Sequence, residues 1–158
     1  MILSREEFLN KHKNVIESGI VTEEYVDDVL DMIMEMAKSD ERAVRSQIRR
    51  IFHHMLKFEY QKERQSRSWI NTIRGACREL EDYKKSSKSI WNSFGDDHLD
   101  DIYKDAVRDA VSETKLPKST FPTNRPSHFT KDNISDYSYM EYYMTNYVYS
   151  NIAKSLLL

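Results

Sequence analysis

A chain of 158 residues with 39% apolar and 32% charged side chains has a soluble globular composition and is long enough to bury a single core. Its 24 basic and 26 acidic residues leave a formal net charge of -2, which argues against a globally cationic nucleic-acid binder while leaving local basic patches open. A single cysteine, Cys77, excludes an intrachain disulfide and a thiolate metal cluster, and no run approaches the ~18 apolar residues that span a bilayer.

The N-terminal stretch MILSREEFLNKHK lacks an apolar core of signal-peptide length, so a cytoplasmic protein without membrane association is expected. Only three glycines and three prolines occur, and the prolines (Pro117, Pro122, Pro126) cluster in one segment. The rest of the chain carries almost no helix-breaking punctuation. The expected fold is all-α, a bundle of about five to six helices in a single domain with an extra helix at the C-terminus.

Ser4 and Glu7 have capping-box spacing and open a first helix that carries Phe8, Val15 and Ile16 and stops near Gly19. Thr22 caps a second, on which Tyr25, Val26, Val29, Leu30, Ile33 and Met36 recur at three- and four-residue steps beside Asp27, Asp28, Asp31 and Glu35. A turn is expected near Ser39 and Asp40. The third helix keeps Val44, Ile48, Ile51, Phe52 and Met55 on one stripe and Arg42, Arg45, Arg49 and His53 on another. In an antiparallel hairpin of helices two and three, that basic stripe would pair with the acidic edge of its predecessor.

The fourth helix starts around Ser66 to Ser68, with Trp69, Ile73, Ala76, Cys77, Leu80 and Tyr83 on its apolar side and Arg74 and Arg78 opposite. KKSSKSIWNSFG reads as a polar connector. DDHLDDIYKDAVRDAVSE then forms an amphipathic helix whose early aspartates suit the positive end of the helix dipole. KLPKSTFPTNRPSHF is a proline-punctuated linker, after which helical spacing resumes through Met140, Met144, Val148, Ile152 and Leu156.

Three stretches together resemble the bacterial family DUF29, a helical domain with no established biochemical role. The first is MAKSDERAVRSQIRRIFHHMLKFEYQKERQSRSW, residues 36 to 69, with His54, Leu56, Lys57, Phe58, Arg67, Ser68 and Trp69 at family-like spacing. The others are DAVRDAVSET and LPKSTFP. The resemblance runs from about residue 5 to residue 126, dividing the chain into a DUF29-like helical domain, 1–126, and a tyrosine-rich helical extension, 127–158. Two departures stand out. Met32 and Met34 replace acidic residues of a Glu-Glu-Ile-Glu run, and Arg125 and Lys115 replace the family's cysteine and glycine around the Leu-Pro and Phe-Pro pair.

Arg64, Arg67, Arg74 and Arg78, with Ser68 near the fourth helix's start, are the candidate anion-binding residues, because free backbone N–H groups and the helix dipole favour phosphate or carboxylate there. The competing reading makes Ser66 or Ser68 an N-cap, Trp69 a core anchor and the arginines partners of acidic neighbours. His54 is either a proton acceptor or a structural hydrogen-bonder at the edge of the apolar stripe. A metal site would need Asp31 or Glu35 from a facing helix beside it, and without HExxH, paired ExxH or CxxC motifs no metal and no cofactor is expected. Cys77, on an apolar face, is expected to be inert.

Tyr139, Tyr142, Tyr143 and Tyr147 are candidate interface residues, since tyrosine is enriched where one end of a side chain is apolar and the other wet. The same helix could instead fold back on its own bundle. No catalytic set is assembled, so a binding role of immunity, antitoxin or adaptor type, with a protein partner or a second copy, is expected ahead of enzymatic activity. A nucleic-acid or phosphoanion binder through the arginines is the alternative, and metal-assisted hydrolysis at His54 comes third.

Overall fold

The computed structural model describes residues 3–145, all-α with no strand among them. Eight α-helices are described: α1 (Arg5–Lys11), α2 (Lys13–Ser18), α3 (Glu23–Tyr60), α4 (Arg67–Ser86), α5 (Lys88–Ser93), α6 (Asp96–Thr114), α7 (Lys131–Ile134) and α8 (Tyr137–Tyr143). None is long and apolar enough to cross a membrane. Two compact units divide within α3, Met1–Arg42 and Ala43–Leu158.

In the first unit, Ser4 and Glu7 form the expected capping box, and Gly19 ends α2 in the left-handed conformation at φ 72°. Thr22 accepts the Tyr25 N–H at the start of α3. Phe8 and His12 pack on Tyr25, and buried His12 donates from Nε2 to Asp28 Oδ2 at 2.6 Å. Lys11 reaches the same carboxylate at 2.9 Å, and the ammonium, followed by the imidazole, holds Asp28 below the usual carboxylate range.

The expected turn at Ser39 and Asp40 does not occur. Helix α3 runs 38 residues without interruption, because no glycine or proline lies between Gly19 and Gly75. Serine and aspartate inside a helix cost only about 0.5 kcal/mol each, too little to break one. The hairpin of helices two and three is therefore absent, and Arg42 instead reaches Glu35 on its own helix.

The core of the second unit is built where α3, α4 and α6 meet. Helix α3 contributes Val44, Ile48, Ile51, Phe52, Met55 and Phe58, α4 adds Ile70, Ile73, Cys77 and Leu80, and α6 adds Leu99, Ile102, Tyr103 and Ala106, all essentially fully buried. Each large aliphatic or aromatic side chain so buried contributes about 1.5–3 kcal/mol. Phe129, from the segment after α6, stacks on Phe52 at 5.0 Å and meets Tyr103 edge-on.

The stretch read as a polar connector forms α5, whose Trp91 is buried, followed by buried Phe94. Lys131 donates to the carbonyls of both residues at 3.0 Å and lies over the Trp91 ring. Arg125 binds Asp96, Asp100 and the Phe129 carbonyl, tying the linker to the start of α6.

Lys115 closes α6 in the left-handed region at φ 62°. A side chain there costs roughly 1–2 kcal/mol relative to glycine, partly offset by glycine's greater freedom in the unfolded chain. Lys115→Gly is expected to raise stability by about 0.5–1 kcal/mol in urea unfolding, and a loss of stability would contradict this account of the cap.

Candidate functional site

The basic stripe of α3 finds its acids on α6. Arg45 reaches Asp105 at 3.2 Å, Arg49 holds Asp109 through Nε and Nη2 at 2.6 and 2.7 Å, and Glu113 takes both His53 and Lys57 at 2.7 Å. Both sets are spaced by four residues and rise together, so α3 and α6 run in the same direction along the ladder. That acidic spacing was legible in DAVRDAVSE, but only the fold pairs it with α3 rather than an earlier helix.

Burial grows along the ladder. Arg45 and Arg49 are more than 40% exposed, His53 is 16% exposed and Lys57 only 2%, so the last rung lies inside the protein. The Lys57 ammonium sits 4.4 Å above the Trp69 ring, and Trp69 in turn meets Phe58 edge-on. An ammonium over an indole face gains from the ring quadrupole, most of all when little water competes. His53 Nε2 lies within ion-pair distance of Glu113 but off the line of a hydrogen bond, and it is buried without a hydrogen-bond partner among the described residues.

His54 is one step round the helix. Its Nδ1 is 2.9 Å from the Arg50 carbonyl, which can only accept, so Nδ1 carries the proton and the neutral ring keeps Nε2 as an acceptor. Burial lowers its pKa to about 4, with Lys57 and His53 working in the same direction. Burial and Lys57 also lower that of His53, against the opposing pull of Glu113 and Asp109. Two neutral imidazoles thus lie beside a buried lysine that is paired with Glu113. The facing helix that would bring Asp31 or Glu35 to His54 does not exist, since all three residues belong to α3. No group of three or more histidine, cysteine, aspartate or glutamate residues able to hold a metal occurs among the described residues.

At the start of α4, Ser66 is the N-cap, accepting the Trp69 N–H at 3.3 Å, and Gln65 donates to the Phe58 carbonyl at the end of α3. Arg64, Arg67 and Ser68 are exposed at this turn. The other two arginines point to the C-terminal segment: Arg74 is paired with Glu141, and Arg78 lies 5.1 Å from the Tyr137 ring centre. The five candidate anion-binding residues are thus divided between the turn and the contact of α4 with α8. Cys77 is buried, and burial pushes its thiol pKa up to about 12.

The described part of the tyrosine-rich segment packs on the second unit through buried Met140 and Met144, and the Tyr137 N–H donates to Glu81 at 2.9 Å. Tyr143 stacks on His128, and its hydroxyl meets Glu59 and, at 2.9 Å, His128 Nε2. Burial, then the Glu59 carboxylate, raises the Tyr143 pKa. Tyr139 is half-buried against Tyr143, whereas Tyr142 is 56% exposed. Tyr147 lies outside the described residues. Sequence reasoning passed over Glu59, Glu113 and His128, because their partners lie 15 to 84 residues away along the chain.

A long helix clamped to a parallel neighbour, with its signature lysine buried under a tryptophan, defines a helical domain organised around an internal ion pair. The chain belongs to DUF29, described as a domain of unknown function, whose pattern it matches over residues 7–140. No curated protein and no solved structure matches it.

His54 generates a pH prediction. Its folded pKa is depressed, so the stability gained from burying it neutral is present above the ordinary value of 6.5 and is lost as the pH falls toward 4. Replacing it with a side chain that does not titrate, as in His54→Gln, is expected to remove a loss on the order of 2 kcal/mol between pH 7 and pH 4.5, read from urea unfolding at both pH values. Equal pH dependence in the two proteins would contradict the assignment.

Proposed function

We propose that the protein acts by binding another protein, as an immunity, antitoxin or adaptor type of module working in the bacterial cytoplasm, and that the first half of α3 is its docking face. The observation that supports this reading is an exposed apolar stripe. Leu30 is 52%, Ile33 56%, Met34 59% and Met36 65% exposed, with Val26 in line at 42%. Among the apolar residues of this stretch, Tyr25, Val29 and Met32 are half-buried, and Tyr25 packs on Phe8 of α1. A row of apolar side chains at helical spacing, left in water, is the surface that an amphipathic partner helix covers.

Met34 stands at one of the acidic positions of the family run, so this chain has traded charge for an adaptable apolar side chain. The alternative built from Arg64, Arg67, Ser68, Arg74 and Arg78 has less behind it, because Arg74 is paired with Glu141 and Arg78 with the Tyr137 ring. Apolar docking also predicts association that survives high salt, whereas phosphate contacts weaken steeply.

The test is the full chain carrying Leu30→Glu and Ile33→Glu. Both side chains are exposed, so stability should change by only about 0.5 kcal/mol each. The wild-type protein is expected to retain one stoichiometric protein partner from its host at high salt, and the double variant to lose it. If the same change instead splits a wild-type dimer in sedimentation, the partner is a second copy. A wild-type protein that associates with nothing, or a double variant that keeps its associations, overturns the reading.

A further inference from the structure

The segment after α6 and the adjoining side of α6 line an open cavity of about 390 Å³. This is within the ~300–1,000 Å³ typical of small-molecule sites. Its floor is apolar and aromatic: Tyr103 and Val107 from the helix, Phe121 and Pro122 from the segment. Tyr103 and Phe121 are nearly fully buried, so the floor belongs to the core. The Tyr103 hydroxyl donates to the Pro122 carbonyl at 2.6 Å, pinning the segment to the helix and setting the width of the cavity. A 3-10 turn at Lys118–Thr120, closed by the Thr120 N–H on the Pro117 carbonyl, shapes the outer wall.

The rim has one sign of charge. Lys104 and Arg108 rise from α6 and Lys118 from the turn, with the hydroxyls of Ser119 and Thr123 between them and no acidic residue in the lining. Neither Lys104 nor Lys118 has an acidic partner among the described residues. Arg108 Nη1 donates to Asp105 at 3.1 Å, but Asp105 also serves Arg45, so one carboxylate answers two guanidinium groups. In a protein with a net charge of -2, three cations around an apolar floor are a local excess that a bound anion would neutralise.

The geometry points to this cavity as a binding site for a small organic phosphomonoester, its phosphate held by Lys104, Arg108 and Lys118 and its apolar body against the half-exposed Pro122 of the floor. Lysines act as mobile point charges toward a dianion, and arginine adds a planar fork with paired donors. The apolar floor rewards a body that a bare inorganic anion lacks. The site rests on residues of the second unit alone and does not depend on the docking reading.

The experiment is an amide-resolved NMR titration of the full chain with phenyl phosphate, inorganic phosphate, phenol and benzoate as separate probes. Phenyl phosphate is expected to shift the amides around Lys104, Lys118, Ser119 and Phe121 saturably, with a Kd near or below about 1 mM and at least tenfold tighter than either fragment. The exposed double variant Lys104→Gln, Lys118→Gln should weaken it about tenfold with an unchanged Tm, and added salt should weaken it in the wild type. Phenyl phosphate no tighter than inorganic phosphate, shifts centred on Arg64 and Arg67, an unaffected double variant, or no saturable shift would each overturn the site. Benzoate matching phenyl phosphate would overturn the phosphomonoester assignment in favour of a carboxylate.

Discussion

Between Val44 and Tyr60, helix α3 has to satisfy two neighbours at once, and the rest of the second unit follows from how it does so. Its apolar stripe supplies the centre of the core, while its basic flank must meet acids four residues apart on α6. Burial provides most of the free energy, since exposed ion pairs contribute only ~0 to 1 kcal/mol each. The ladder limits register in one direction. Sliding α6 by one turn so that Pro117 takes the place of Glu113 would leave Lys57 buried without a carboxylate, and an uncompensated buried charge costs several kcal/mol, whereas a slide the other way would bring Asp109 to it.

Lys57 is therefore the rung on which the arrangement turns. The outer rungs, Arg45 and Arg49, stand in water and can be screened, but Lys57 is enclosed by Glu113 on one side and the Trp69 ring on the other. Trp69 is positioned by the Ser66 cap, so the start of α4 is coupled to the end of the ladder. Lys57, Phe58 and Trp69 are thereby accounted for as one structural assembly around the α3–α4 turn.

The first half of α3 obeys the same helical periodicity with a different outcome. Its inward flank is tied to α1 and α2 by Tyr25 and by Asp28 with His12 and Lys11, and its other apolar flank stays in water. A six-residue and a seven-residue helix are too short to cover a stripe running from Val26 to Met36. This asymmetry separates the architecture of the second unit from the surface on which the proposed function rests.

Local signals were enough to read the all-α class, the Ser4 capping box, the Thr22 cap, the start of α4 and the apolar faces of α4 and α6, because each depends on residues within a turn or two. The family resemblance, too, was legible in short stretches. Five features were not. The absent turn at Ser39 and Asp40 was a contest between weak breaking preferences and an otherwise uninterrupted helix. The helix around Trp91 is held by Lys131, some 40 residues on. The choice of α6 as partner for the basic stripe, the exposure of Leu30 and Ile33, and the cationic cavity beside Phe121 were settled by tertiary structure, because charge pairing and burial depend on which surfaces the chain brings together, and spacing along one helix does not say which neighbour will arrive.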